Sequence, residues 1–284
     1  MLEMKVSTHA DWPECKALWK AAFGDDDFYI DNFYENYYQP ERVVVLRDES
    51  GLQSMLALLP MKLRWADGGT TKASYLYALA THPDARGKGY ATFLMRYADF
   101  YLSGQAVPFL STVPAEESLQ KYFAAAADFQ RCHPIDEAEL DTPAAADRPA
   151  LPVDGEEYHA LREELLKDTA HAIYDAEYLS FQKKVSSLFG GGLYKMETKA
   201  GTAIAAAELH GDVLDVRELL TPIGTQAEAL SMLAAVLSAP RCRVRCPADT
   251  CELPGKVRKL FGMGKRVPPA PTKLAESYFG LAFD

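Results

Sequence analysis

The most constraining feature of this chain is a passage in its first third that reads strand, loop, helix. An apolar run, Ser74 to Ala80, follows the turn Ala66-Asp67-Gly68-Gly69 and stops before Pro83. Uninterrupted apolar runs of this length suit a strand buried on both faces. Thr81-His82-Pro83-Asp84-Ala85 then leads into Arg86-Gly87-Lys88-Gly89-Tyr90-Ala91, after which Leu94, Met95, Ala98 and Leu102 recur at helical spacing. A loop feeding a helix N-terminus offers free backbone N–H groups and the positive end of the helix dipole to an anion. Gly87 and Gly89 would let the backbone approach a pyrophosphate, and Arg86 and Lys88 add charge. The plainer alternative is a helix start whose glycines serve only the turn. Two nucleotide motifs fit poorly, since Thr92 stands where a dinucleotide fingerprint has its third glycine and no Gly-Lys-Ser/Thr sequence is present.

The elements before this passage are read from periodicity and turn residues. Trp12, Cys15, Leu18, Trp19 and Ala22 mark a helix over Asp11 to Phe23, and a densely aromatic helix follows over Phe28 to Tyr38. Asp25, Asp26 and Asp27 between them are helix caps or a lure for a cationic acceptor. Arg42 to Arg47 and Leu52 to Leu59 read as antiparallel strands about the turn Asp48-Glu49-Ser50-Gly51. Beyond the loop come a strand at Pro108 to Val113 and a helix from about Ala115. The proline-rich stretch Asp141 to Gly155 predicts a boundary.

The second half repeats the order of elements without repeating residues. Helices are expected at Glu156 to Leu166, Asp175 to Leu188 and Thr225 to Leu237. Strands are expected at Leu193 to Thr198, Thr202 to Leu209, Val213 to Leu220 and Cys242 to Cys246, with a final one at Tyr278 to Phe283. Thr-Pro-Ile-Gly-Thr fills the place of the glycine loop, so no second anion site is expected there.

The order of elements, with Arg-x-x-Gly-x-Gly/Ala after the buried strand, resembles the GCN5-related N-acetyltransferase (GNAT) superfamily over Met1 to about His133. Taken together the halves resemble the bacterial tandem acetyltransferases related to the enhanced-intracellular-survival group. The resemblance implies an α/β (α+β) fold of two tandem GNAT-like domains, each a mixed, mostly antiparallel sheet flanked by helices. Their expected spans are 1–140 with the cofactor loop and 156–284 without it, joined by 141–155. It implies acetyl-coenzyme A as cofactor, with backbone groups of Leu79, Ala80 and Thr81 on the pantetheine arm and the amides of Arg86, Gly87, Lys88, Gly89, Tyr90 and Ala91 on the pyrophosphate. It implies transfer of an acetyl group to a primary amine of a small molecule or peptide in a ternary complex. A non-catalytic acyl-coenzyme A-binding regulator is the alternative.

Such a transfer needs a neutral amine, a supported oxyanion and a protonated leaving thiolate. The N–H groups around Leu79 and Ala80 are candidate oxyanion donors. By the resemblance, Tyr122 in Ser118-Leu119-Gln120-Lys121-Tyr122-Phe123 is the candidate acid, although the expected Gly-Phe pair is replaced by Asp128-Phe129. Tyr122 as a core aromatic is the competing reading. The terminal carboxylate acts as a base in the related enzymes, which makes Asp284 a further catalytic candidate. His82, next to Pro83, is read as structural or solvated. The aromatics Phe28, Tyr29, Phe33, Tyr34 and Tyr37 line an acceptor pocket or fill the core.

Charge and cysteine usage bound the partners. A formal net charge of −10 over 284 residues disfavours nucleic acid and anionic membranes and suits a cationic acceptor. The start lacks a basic and then apolar leader, and no run reaches the roughly 18 apolar residues of a membrane helix, so a cytoplasmic protein is expected. Five cysteines argue against a disulfide framework. Cys242, Cys246 and Cys251 cluster with no histidine nearby, so no metal is expected.

Overall fold

In the computed structural model, residues 2–269 and 276–283 are described. The first half runs β1 (Glu3–Val6), α1 (Trp12–Phe23), α2 (Asp27–Asn36), β2 (Val43–Asp48), β3 (Gly51–Arg64), β4 (Thr70–Thr81), α3 (Tyr90–Gly104), β5 (Phe109–Thr112), α4 (Glu117–Ala127) and β6 (Gln130–Asp141). The second half runs β7 (Leu151–Pro152), α5 (Gly155–Leu165), β8 (His171–Ile173), α6 (Ala176–Leu188), β9 (Gly192–Thr198), β10 (Gly201–His210), β11 (Val213–Leu220), α7 (Gln226–Ala234), β12 (Arg241–Pro247) and β13 (Val257–Arg266). Apart from the final strand expected at Tyr278 to Phe283, the expected helices and strands of both halves are present, with boundaries displaced by a few residues at most of their ends.

The strands form one mixed sheet in the order β1-β2-β3-β4-β5-β13-β6-β12-β11-β10-β9-β7, with β8 on β3. Strand β13, late in the chain, lies between β5 and β6 of the first half and is antiparallel to both. The β4–β5 and β11–β12 pairs are parallel, and the other ladders are antiparallel. Each half thus has one parallel pair reached through a helix, as its strand–helix–strand order requires.

Three apolar layers hold the sheet. On one face of the first half, Leu94, Met95, Ala98 and Leu102 of α3 pack on Val44, Leu46, Leu56, Leu58 and Leu76. Full burial of a leucine or methionine is worth about 1.5–3 kcal/mol, so this amphipathic helix is held chiefly by its packing. On the corresponding side of the second half, Leu230 and Leu233 of α7 cover Ala205, Val216 and Val244. The opposite face of the first half and the second half share one core, where Tyr37 stacks on Phe181 at 4.9 Å and Arg42 pairs with Glu177 at 2.8 Å.

The C-terminal stretch differs from the expected final strand. Tyr278 makes an isolated bridge to His171, and residues 279–283 join no ladder. Side chains take their carbonyls instead: the hydroxyls of Tyr174, Tyr178 and Tyr75 donate to Phe279, Leu281 and Phe283, and the Arg217 guanidinium donates to Ala282. Gly280, at φ +63°, breaks the extended course; a Cβ there would stand 2.4 Å from Glu218 Oε1. The stretch is buried throughout, so it is a strap through the shared core.

Candidate active site

The candidate site begins where β4 and β5 part. Their parallel pairing joins Ala73–Leu76 to Phe109–Thr112 and ends there, with the Thr112 hydroxyl donating to the Leu76 carbonyl at 3.0 Å. Just beyond, the β3–β4 register shifts opposite Leu56, and Ala78 takes a left-handed φ of +49°. An alanine there is strained by about 1–2 kcal/mol, and such strain gathers at functional sites. Beyond Leu76 the β5-facing edge of β4 has no strand partner among the described residues. Leu79, Ala80 and Thr81 follow along this stretch of β4, with Ala80 and Thr81 paired on their other side with Met55 and Ser54 of β3.

The loop that follows is shaped for an anion. His82 caps the one-turn 3₁₀ helix Pro83–Ala85, its Nδ1 accepting from the Asp84 amide, which accounts for this histidine structurally. Gly87 and Gly89 both sit at φ +78°, and the space a Cβ of Gly87 would enter is open to 4 Å. The ladder of α3 starts with the Phe93 amide donating to the Gly89 carbonyl, so the first-turn amides of Tyr90, Ala91 and Thr92 lack helical acceptors. Arg86 and Lys88 are exposed beside them. Tyr90 is tied back by its hydroxyl to Asp48 at 3.0 Å, and that hydrogen bond raises its pKa. The residues therefore fit a pyrophosphate: open space, left-handed glycines, free amides and two cations.

Tyr122 lies on α4, half-exposed, with its hydroxyl 3.2 Å from that of Thr92 on the first turn of α3. It is thus no core aromatic. Its neighbour Phe123 takes the core position, against Phe129 at 5.4 Å. Asp284 lies outside the described residues. The residue before it, Phe283, is buried against Tyr77, Tyr178 and Phe181.

The three aspartates are absorbed locally. Asp26 caps α2 by accepting from the Tyr29 amide, Asp25 accepts from the Trp19 indole, and Asp27 pairs with Lys20. Among the aromatics, Phe33, Tyr34 and Tyr37 are core, whereas Phe28 is 79% exposed. Tyr29 differs from both, its hydroxyl 2.8 Å from that of Tyr77, the residue before the Ala78 kink. Burial pushes the pKa of Tyr29 up to about 12 and that of Tyr77 well above the usual phenol range, so both stay protonated near neutrality. This hydroxyl pair went unrecognised in the sequence. The alternation of Tyr75 and Tyr77 in an otherwise apolar run was the available signal.

The second half contributes a polar cluster on the same side. Glu208 is buried on β10, where its carboxylate accepts from the Ser186 hydroxyl at 3.0 Å and lies 2.9 Å from Nε2 of His210. Asp215 stands opposite Glu208 on β11 and pairs with Arg243. Burial alone would raise the Asp215 pKa, but Arg243, Arg217 and Arg245 outweigh it and hold the carboxyl below its usual range. The cysteines at 242 and 246 face α7, as strand alternation requires, and are buried with Cys251.

Residues 3–123 match the acetyltransferase (GNAT) domain family. No curated protein matches the sequence. Among solved structures, a conserved protein of Enterococcus faecalis described as a "Probable N-Acyltransferase" is 14% identical, with a TM-score of 0.71 over 94% of this chain and 73% of that one. A GCN5-related N-acetyltransferase from Anabaena variabilis is 16% identical with a TM-score of 0.70, covering 94% of this chain and 73% of that one. Eis1 from Mycobacterium abscessus is 11% identical with a TM-score of 0.67, covering 94% and 74%. At these identities the likeness speaks for the fold, which extends across both halves. Among the described residues, no helix is long and apolar enough to cross a membrane.

Proposed function

We propose that this chain, whose residues 3–123 match the GNAT acetyltransferase domain family, is an acetyl-coenzyme A-dependent acyltransferase whose acceptor is a primary amine of a small molecule or peptide, attacked directly in a ternary complex. The observation that carries this reading is the parting of β4 from β5 at Leu76 and Thr112, immediately ahead of the left-handed glycines and the free first turn of α3. In this reading the loop Arg86 to Ala91 holds the pyrophosphate, chiefly through the first-turn amides of α3, because the amides of Arg86 and Lys88 donate to the carbonyls of Pro83 and Ala85, and backbone groups of Leu79, Ala80 and Thr81 hold the pantetheine arm. When bound, acetyl-coenzyme A supplies an activated thioester. The kinked edge of β4 supplies donors to the oxyanion, a contribution of about 10²–10³ in rate for a single well-placed donor.

The units proposed are 1–140, which carries the cofactor, and 156–284, which shapes the acceptor side, with 141–155 between them. Strand β13 of the second unit completes the sheet of the first. The acceptor cleft is assigned to the side where Tyr29, Tyr77 and the polar cluster of β10 and β11 converge. All five cysteines are free and buried, as a reducing cytoplasm permits. The test of this reading is free-thiol release from acetyl-coenzyme A across a panel of amines. Thermal stabilisation by coenzyme A without thiol release for any amine would favour a sensor over an enzyme.

Tyr122 is proposed as the acid that protonates the departing thiolate. Tyr122→Phe is expected to lower turnover about 10–100-fold while leaving coenzyme A affinity within about twofold, because a general acid acts chiefly in the transition state. Single-turnover rates set beside calorimetric affinities check this, and an unchanged rate passes the role to solvent. The Asp284 carboxylate is proposed as a further catalytic group, one that acts on the amine and not on the cofactor. Deleting Asp284 is expected to raise KM for the amine several-fold with cofactor affinity intact, measured by the same thiol assay.

A further inference from the structure

We propose that His210, oriented by Glu208, is the proton acceptor for the incoming ammonium group, a role that rests on the acetyl-transfer reading above. Glu208 and His210 stand two residues apart on β10, so strand alternation points them to one face. On that face Ile204 and Ala206 join the core shared with Tyr77, Phe181 and Phe283. The face therefore looks toward the kinked strand of the first half. The line between them is traced by rings: His210 packs on Phe189 at 4.7 Å, Phe189 lies 6.4 Å from Tyr29, and the Tyr29 hydroxyl meets that of Tyr77 at 2.8 Å.

The pair has the parts of a general base and its orienting carboxylate. The Glu208 side chain is 3% exposed, and its other oxygen accepts from Ser186, so it is fixed in place. Its 2.9 Å contact with Nε2 assigns the ring proton to that nitrogen and leaves the Nδ1 lone pair as the accepting site. The His210 side chain is 39% exposed, enough to meet a ligand entering from solvent. The charges facing the pair are Arg217, 3.7 Å from Glu208, and Asp215, both from β11. From α6 come the neutral Gln182 and Ser186, and from α2 comes the Tyr29 phenol, beyond Phe189. Asp212 in the adjoining turn is engaged by Arg241 at 2.9 Å.

One ammonium proton passes to Nδ1 of His210, leaving a neutral amine. Its nitrogen bonds the acyl carbon, the C–S bond breaks with its electron pair on sulfur, and the second nitrogen proton ends on that sulfur through the acid on the cofactor side. The imidazolium returns its proton to solvent, so one proton is released per turnover.

The test is a pH series of kcat/KM for an accepted amine with native protein, His210→Gln and Glu208→Gln, alongside coenzyme A affinity by calorimetry. His210→Gln is expected to lose about 10²-fold near pH 7, with the gap closing as pH rises until the amine is neutral unaided. Added imidazole should restore part of the loss. Glu208→Gln is expected to lose less, with the same convergence. In NMR spectra, the ring resonances of His210 should move when the amine is added. Rates equal to native at every pH, or a loss constant across pH, would overturn the assignment while leaving the acetyl-transfer reading intact. Failure of the native protein to release thiol with any amine would overturn that reading instead.

Discussion

Replacing Gly89 with valine is expected to abolish coenzyme A binding, taking a calorimetric titration from one site per chain in the native protein to none. At φ +78° a β-branched residue is strained, and the amides it would displace are those proposed to meet the pyrophosphate. Among the described residues only the first half has such a loop leading into a helix start; Thr221 to Thr225, ahead of α7, lack the Arg-x-x-Gly-x-Gly pattern. A loss of 100-fold or more, about 2.7 kcal/mol or above, is expected. The fold should persist, because the loop is exposed and a Cβ at Gly89 would meet only Phe93, at 3.9 Å. Two equivalent sites in the native titration would contradict the assignment.

The largest loss of stability is expected from Glu218→Ala. Glu218 on β11 and Arg162 on α5 are both fully buried and 3.1 Å apart, with the Tyr158 hydroxyl donating to the same carboxylate at 3.0 Å. Burial by itself would lower the Arg162 pKa; the Glu218 charge and hydrogen bonds outweigh it and raise it, so the guanidinium stays charged. Removing the carboxylate strands that charge in the core, at a cost of about 3–5 kcal/mol. Urea denaturation should show the midpoint fall with little change in slope. A change below about 1 kcal/mol would mean that water reaches the arginine. Replacing the buried pair by apolar residues of similar volume is expected to be far milder.

The parts of this molecule legible in its sequence are those whose signals are local. The run Ser74 to Ala80, the loop and the helix from Tyr90 announce themselves through apolar periodicity and glycine, and the Asp26 cap through its position. Strand β6 carries Pro134 among charged residues, and β13 reads Val-Arg-Lys-Leu-Phe-Gly-Met-Gly-Lys-Arg, with no clean alternation. Each is held by a partner distant in sequence, which periodicity does not reveal. Tyr278 to Phe283 misleads for the opposite reason: its apolar residues suit a strand, but tyrosine hydroxyls and an arginine satisfy its carbonyls. His210 and Glu208 are unremarkable along the chain and gain meaning only when the fold sets Phe189 and Tyr29 beside them.

The position of β13 bears on how the chain is made. The ribosome releases β6, ending at Asp141, about 125 residues before it releases the end of β13 at Arg266. At synthesis rates of about 5–20 residues per second, the edges of β5 and β6 wait on the order of ten seconds for the strand that separates them. Unpaired edges recruit other strands, so the nascent first half is the stage most open to mispairing and to chaperone capture. A fragment ending at residue 140 keeps the whole glycine loop yet leaves that gap unfilled. The half that carries the glycine loop is therefore not a separable module: its last structural strand arrives only when most of the second half has been synthesised.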